Sequence, residues 1–233
     1  MIVCVYALIA SSSRVVGSGM SGERLRAVTA GGIVALVGEL RRAPKPTMTN
    51  LRRYAIVIEK AAAQTPAILP VRFGTGMTDL DEVTFVLRTR QDALRRRLRA
   101  VRGRSQMTIR VVLGGSGSDS GEASYASQTR VIGRSRVRLE NVPTQGTQYL
   151  QQRAITAARA REIPGFAPIR AAVKRWVKDE RVEKRAGVAT VNHLIPRSSV
   201  GTYRSAVERA AERAGLRVVV TGPFPPYAFA ENW

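Results

Sequence analysis

The chain has 233 residues, of which 44% are apolar, enough to form a hydrophobic core in one large or two small domains. The 38 Lys and Arg against 17 Asp and Glu give a net charge of +21, which favours an anionic partner (nucleic acid, an anionic membrane surface or an acidic protein) unless it reflects a general basic bias. The chain has one cysteine, Cys4, and one histidine, His193. These counts exclude an intramolecular disulfide, a cysteine-based metal site and a multi-histidine catalytic arrangement.

The first predicted element is the apolar run Ile2 to Ala10, whose Val, Ile, Cys and Tyr content indicates a buried strand. A signal peptide is not favoured, because no basic residue precedes Arg14, and the run is too short to span a bilayer. No other stretch approaches transmembrane length. We therefore expect a soluble, cytoplasmic protein in which Cys4 is a small buried apolar residue.

Strands and helices then alternate. The segment Ile33 to Leu40 predicts a second strand, and Thr47 or Thr49 begins a helix with one apolar stripe. A longer helix is predicted from Asp79 to Val101, with apolar residues at multiples of 3.5 residues.

The outer face of that longer helix is strongly basic, with Asp92 as its only acid. Like charges one turn apart destabilise a helix by about a few tenths of a kcal/mol per pair. A face that keeps such pairs is a candidate for binding an anionic partner, although a charged helix face can also be merely solvated. The candidate residues are Arg88, Arg95, Arg96, Arg99 and Arg102.

The second half begins with Met107 to Leu113, whose alternation predicts a half-buried strand. The Gly/Ser-rich tract that follows predicts a flexible loop over 114–130, and Arg134 to Leu139 predicts a short edge strand. Two helices are predicted next, Thr147 to Arg161 and Ile169 to Lys184.

The last elements are a strand, a helix and a strand. Val188 to Ile195 predicts the first strand, Ser198 or Ser199 caps the helix, and Gly215 ends it. Leu216 to Val220 predicts the final strand. The alternation of elements with short turns predicts an α+β fold.

No arrangement of residues predicts catalysis. The Gly17–Gly22 segment matches G-x-G-x-x-G, but a long polar loop separates it from the preceding strand, so it is a weak indication of dinucleotide binding. The acids at Asp79, Asp81 and Glu82 suit a helix N-terminus and have no further metal ligand beside them. His193 fits a buried structural residue better than a base. We predict no enzymatic activity, no cofactor and no metal site.

Two segments are too apolar and too rich in Pro and Gly for ordinary surface loops, Leu69 to Thr75 and Gly222 to Phe229. Proline fixes φ and removes a donor, so the second segment is extended and cannot join a central sheet. Arg72 can pack its stem and bind a carboxylate, either internal or on a partner. The candidate interaction or domain-interface residues are Arg72, Phe73, Gly74, Pro223, Phe224, Pro225, Pro226, Tyr227 and Phe229.

Four motifs in this order resemble the gas vesicle GvpL/GvpF proteins over nearly the whole chain: Val5 to Leu8, Leu69 to Thr75, Gly146 to Leu150 and Gly222 to Phe229. The resemblance implies a two-domain α+β accessory protein. Its N-terminal domain would span 1–104, its ferredoxin-like C-terminal domain 105–222 including the 114–130 loop, and its tail 223–233.

The resemblance also implies a non-catalytic role in gas vesicle formation in the cytoplasm, through contacts with the small hydrophobic shell protein and other accessory proteins. Unassembled shell subunits expose apolar surface and aggregate unless covered, which fits a holding role.

The alternative is a nucleic-acid-binding module that uses the basic helix face 88–102 to neutralise phosphates. A set of base-stacking aromatics and a recognition motif are both missing from the sequence. Salt separates the two functions, because phosphate binding weakens steeply with salt and apolar holding does not.

Overall fold

A computed structural model of the chain describes residues 1–10, 15–113, 162–185 and 187–230. Its elements form two antiparallel sheets, each covered by helices, and the α+β class is confirmed. The predicted 114–130 loop, the strand Arg134–Leu139, the helix Thr147–Arg161 and the Gly146–Leu150 motif lie outside the described residues.

The N-terminal sheet is built around β1, Ile2–Ala10, which is a strand as predicted. On one side β1 pairs with β3, Ile33–Leu40, which in turn pairs with β2, Arg26–Ala30. On its other side it pairs with β4, Ile68–Pro70, and β5, Gly76–Met77. The side chains of β1 from its second to its eighth residue are buried, because helices cover both faces of the sheet.

One face of this sheet packs against α1, Met48–Ala63, and the other against α2, Leu80–Thr89, and α3, Gln91–Val101. Thr47 and Asp79 cap α1 and α2 by accepting hydrogen bonds from backbone N–H groups of the first turn. From the sequence we predict Thr47 or Thr49 at the start of the first helix and Asp79 at the start of the second, and the structure selects Thr47 for α1.

The prediction of a single helix from Asp79 to Val101 is wrong, because the helix breaks at Arg90. The Thr89 hydroxyl donates to the carbonyl oxygen of Phe85 at 2.9 Å, a local bond that bends helices. The break leaves the apolar seam buried on both pieces, at Val83, Leu87, Leu94, Leu98 and Val101.

The C-terminal sheet has the strand order β7-β8-β6-β9. These strands are β6, Arg104–Val112; β7, Asp179–Arg185; β8, Val188–Pro196; and β9, Val218–Phe224. The helices α4, Ala167–Val173, and α5, Val200–Arg213, cover one face. The ferredoxin-like assignment and the domain boundaries stay predictions.

The predicted helix Ile169–Lys184 is also wrong: α4 ends at Val173, and the polar stretch after it forms the edge strand β7. The charges belong to a strand edge, where they discourage pairing with another chain. Within β7, Val182 packs against the core, opposite Val191 of β8.

The single histidine lies at the centre of a polar chain. His193 is fully buried, with Nδ1 2.6 Å from the Tyr203 hydroxyl and Nε2 2.8 Å from the Glu180 carboxylate. When Nε2–H donates to Glu180, Nδ1 accepts from Tyr203. Arg170 donates to both oxygens of Glu180, at 3.2 and 3.1 Å. The chain joins α4, β7, β8 and α5, so His193 is a structural residue.

Glu180→Gln should therefore weaken the fold in a pH-dependent way. The hydrogen bond from His193, followed by that from Arg170, lowers the pKa of Glu180 from 4.5 to about 2 against the opposing effect of burial. Ionised Glu180 thus stabilises the fold above about pH 4.5 and loses this effect as the pH falls towards 2. We expect Glu180→Gln to lower the free energy of unfolding by about 2 kcal/mol at neutral pH.

Urea unfolding at several pH values measures this difference, and it should shrink steadily below pH 4.5. Glu183→Gln on the same strand is the control, because Glu183 is exposed and pairs only loosely with Arg185. An equal loss in both variants, or a loss that does not depend on pH, would contradict the assignment.

Candidate functional site

The Leu69–Thr75 motif completes the edge of the N-terminal sheet beside β1. The Val71 N–H donates to the carbonyl oxygen of Tyr6 at 2.9 Å, and the Val5 N–H donates to that of Thr75 at 3.1 Å. Between these bonds the chain turns through Gly74, whose φ of +83° strains any residue with a Cβ. The motif is therefore part of the sheet edge and not a free loop.

Aromatic side chains hold this motif against α1. The Tyr54 hydroxyl lies 2.5 Å from the carbonyl oxygen of Val71 and 3.0 Å from that of Tyr6. Phe73 packs edge-on against Tyr54, and Tyr54 stacks on Tyr6, each with ring centroids 5.3 Å apart. Burial raises the pKa of both tyrosine hydroxyls.

Arg72 differs from its neighbours because its side chain is exposed. Within the ranges that the structure covers, no carboxylate pairs with its guanidinium. The internal carboxylate considered from the sequence is thus not found among those residues, and the charge of Arg72 faces solvent.

The tail continues from the edge strand β9 and crosses towards the other sheet. Phe224 ends β9 opposite Gln106, and Pro223 beside it is exposed, in keeping with the confinement of proline to sheet edges. Pro225 and Pro226 are buried. The sequence-predicted tail therefore begins inside the C-terminal sheet.

Beyond the prolines, the 3-10 turn Tyr227–Phe229 lies beside the N-terminal sheet. Phe229 is only 7% exposed and belongs to the same apolar cluster as Leu69 and Val71. Burial and the nearby Glu59 carboxylate raise the pKa of Tyr227 to about 12. The structure thus brings the two sequence motifs together, with the tail joining the two sheets.

A buried polar cluster on β6 and β8 anchors the tail. Gln106 accepts the Ala228 N–H through Oε1 at 2.8 Å and donates through Nε2 to Asn192 and Thr108 at 3.0 and 3.1 Å. The Thr108 hydroxyl completes the cluster at 2.7 Å from Asn192 Oδ1. Leaving these buried polar groups unpaired would cost free energy. The bonds therefore hold the backbone of the tail at Ala228 against β6.

The five candidate arginines are all exposed, but they do not share one face. Arg88 lies on α2, before the helix break. Three others line a cavity of about 150 Å³, together with small or apolar residues of the sheet and α3. These three are Arg95, Arg99 and Arg102.

A groove of about 740 Å³ lies between α1 and the segment 15–25 that precedes β2. Its walls include Val16 and Ile56, which are 71% and 48% exposed. Arg53 and Lys60 also line it. Gln64 joins the two walls, accepting from the Val16 N–H at 3.1 Å and donating to the Val16 carbonyl at 3.2 Å.

The sequence pattern does not predict this groove, because its walls lie about 40 residues apart in the chain. One signal was present. Ile56 is apolar but lies outside the apolar stripe that predicts this helix, which consists of Leu51, Tyr54, Ala55, Ile58 and Ala62.

The G-x-G-x-x-G segment forms one wall of the groove and has no dinucleotide-binding geometry. The Gly19 N–H donates to the carbonyl oxygen of Glu23 at 2.7 Å, and a bridge joins Ser18 to Arg24. This hairpin leads into strand β2, whereas a dinucleotide loop opens a helix. The described residues contain no group of three metal-binding side chains and no helix long and apolar enough to cross a bilayer.

Removing the apolar contact that Phe229 makes with the N-terminal core should destabilise both sheets together. We expect Phe229→Ala to lower the free energy of unfolding by about 3 kcal/mol, because it opens a cavity in the shared core. The matched control, Phe85→Ala, removes an aromatic ring that is 68% exposed and should change it by less than about 0.5 kcal/mol.

Hydrogen exchange of the Ala228 amide gives a local measurement of the same contact, because that amide is bonded to Gln106. Its exchange should accelerate in Phe229→Ala and not in Phe85→Ala. Unchanged exchange together with unchanged stability would show that the tail is not held by this contact.

Comparison with known proteins places the chain clearly. The family described as "Gas vesicle synthesis protein GvpL/GvpF" matches residues 3–231. Gas vesicle protein F of Streptomyces sp. (strain CB03234) is 27% identical over 227 residues, which cover 92% of this chain and 91% of that protein.

Two solved structures share the fold. GvpF from Anabaena sp. PCC7120 superposes with a TM-score of 0.72 at 15% identity, covering 100% of this chain and 97% of that one. GvpF from Microcystis aeruginosa gives 0.70 at 13% identity, with 99% of each chain covered. With the family match extending over almost every residue, the chain belongs to the GvpL/GvpF family of gas vesicle proteins.

Proposed function

We propose that this protein is a non-catalytic assembly factor that holds the small hydrophobic shell protein of the gas vesicle, in the cytoplasm and at the vesicle, and contacts other accessory proteins. Family membership supports a gas vesicle role. The proposal that it binds the shell protein rests on the open apolar groove along α1.

The dimensions of the groove suit a helical segment. Its lining residues on α1 run from Arg53 to Ala63, about 15 Å of helix at 1.5 Å per residue. A partner helix of about three turns could lay its apolar side there, the mode in which amphipathic helices bind hydrophobic grooves. Val16 and Ile56 are the exposed apolar contacts on the two walls.

The lining also explains how such a complex would stay soluble. Arg53 and Lys60 are exposed cations beside the apolar walls, one on each side of Ile56 along α1. They keep a hydrated, positively charged margin around the bound apolar segment. With a net charge of +21, loaded copies repel one another, which opposes clustering.

The second candidate function, nucleic-acid binding, is favoured by one observation, the exposed arginines of α2 and α3. Phosphate contacts release counterions and weaken steeply with salt. Apolar contacts in the groove do not have this dependence, so salt concentration separates the two functions.

The test is capture of the shell protein by the tagged full chain from a nuclease-treated lysate, at low salt and at about 0.5 M salt. Ile56→Glu places a charge in the groove and should abolish capture at both salt concentrations. Val219→Glu is the matched control, because Val219 is 56% exposed on β9, away from the groove, and should capture normally.

Thermal unfolding of both variants checks that each remains folded. Normal capture by Ile56→Glu, or equal loss in both variants, would exclude the groove as the binding site. Salt-labile material that is recovered from an untreated lysate and lost after nuclease treatment would instead support nucleic-acid binding.

A further inference from the structure

The cavity beside α3 has a basic wall and an apolar floor. Arg95 and Arg99 lie on α3 and Arg102 directly follows its end, with spacings of four and three residues, so they form one stripe over about 10 Å. The rest of the lining is small or apolar, and includes Ala10, Ala67 and Leu98. The cavity holds about 150 Å³, room for the head of a side chain but not for a nucleotide.

The turn between β2 and β3 shapes one side of this cavity. Gly32 adopts a φ of +70°, and a Cβ there would lie 2.7 Å from Nη2 of Arg95. The positive φ favours glycine at this position, and the flexible guanidinium of Arg95 lies beside it.

None of the three arginines has an internal partner among the residues placed by the structure. All three side chains are exposed, and no described carboxylate or carbonyl oxygen accepts a hydrogen bond from them. Cations one helical turn apart repel each other. An external anion would therefore relieve a repulsion that the described part of the fold leaves uncompensated.

We propose that this arginine cavity binds an acidic helical segment of a partner protein, with carboxylates one turn apart facing the three guanidiniums. Acids at i, i+4 and i+7 on such a helix repeat the spacing of the arginines. Arginine presents a fork that binds a carboxylate through two parallel hydrogen bonds.

The lining of the cavity favours an acidic peptide over nucleic acid. The half-buried Ala10 offers apolar contact for the methylene groups of a glutamate, and the buried Leu98 and Ala67 close the cavity behind it. A phosphodiester has no such apolar stem, and binding of single strands usually requires aromatic side chains on which bases stack. No aromatic residue lines this cavity.

This site is separate from the groove of the proposed function. The groove lies on the α1 face of the N-terminal sheet, and the arginine cavity lies on the α3 face. The inference therefore does not depend on shell-protein binding, and the two can succeed or fail independently.

The test measures binding of a fluorescent helical peptide of about 15 residues with glutamates at i, i+4 and i+7. The same peptide with glutamines, and a single-stranded oligonucleotide of similar length, serve as competing probes. Titrations use the full chain at about 0.15 M salt. We expect the glutamate peptide to bind and the glutamine peptide not to bind.

The triple variant Arg95→Gln, Arg99→Gln, Arg102→Gln should weaken binding of the glutamate peptide at least about tenfold. Its matched control removes the same charge from exposed arginines of the C-terminal half, by Arg209→Gln, Arg213→Gln and Arg217→Gln, and should change binding by less than about twofold. A triple lysine variant of the cavity keeps the charge and should still bind several-fold more weakly, because lysine lacks the fork.

The lysine variant also keeps the proposal testable if the glutamine variant fails to fold. Equal losses of peptide affinity in the glutamine variant and its control, or full affinity in the lysine variant, would show that binding depends only on net charge. Either result would overturn the proposal. Tighter binding of the oligonucleotide than of the peptide, lost in the cavity variant, would overturn it in favour of nucleic acid.

Discussion

The burial of β1 on both faces is the constraint on which the N-terminal half depends. A strand with apolar side chains on both faces needs a cover on each side, and here α1 provides one cover and the α2–α3 pair the other. The same arrangement places the groove and the arginine cavity on opposite faces of one sheet. Two ligands could therefore bind there without competing for space.

The tail couples the two halves through a shared core. Phe229 and Leu194, both from the C-terminal half, pack in the N-terminal apolar cluster. Gln106 fixes the backbone of the tail from the other side. Two of the motifs that resemble the gas vesicle family, Leu69 to Thr75 and Gly222 to Phe229, thus make mostly internal contacts. These contacts explain their unusual apolar composition. From them, Arg72 and Tyr227 are side chains that reach solvent.

Strong local patterns predicted the fold best. The apolar run of β1 and the caps at Thr47 and Asp79 carry their information within a few residues, so sequence was sufficient. The sequence predicts a helix where β7 lies because its charges obscure the alternation, and its pairing with β8 is decided by tertiary contact. The groove and the arginine cavity each combine segments distant along the chain. The arginines were identified from sequence, but the subset of three that shares a cavity was not, since only packing against Gly32 and Ala67 defines it.

The separation of apolar and basic surfaces bears on how a protein of charge +21 could hold an apolar partner. A cationic surface alone attracts any polyanion, and such contacts are screened within about 8 Å at physiological salt. An apolar groove alone does not select one apolar sequence over another. Under the two proposals, placing both surfaces on one sheet would make binding depend on two independent features of the partners, an apolar helix and an acidic stripe. Because salt weakens one contact and not the other, the salt dependence of a complete complex would report how much each surface contributes.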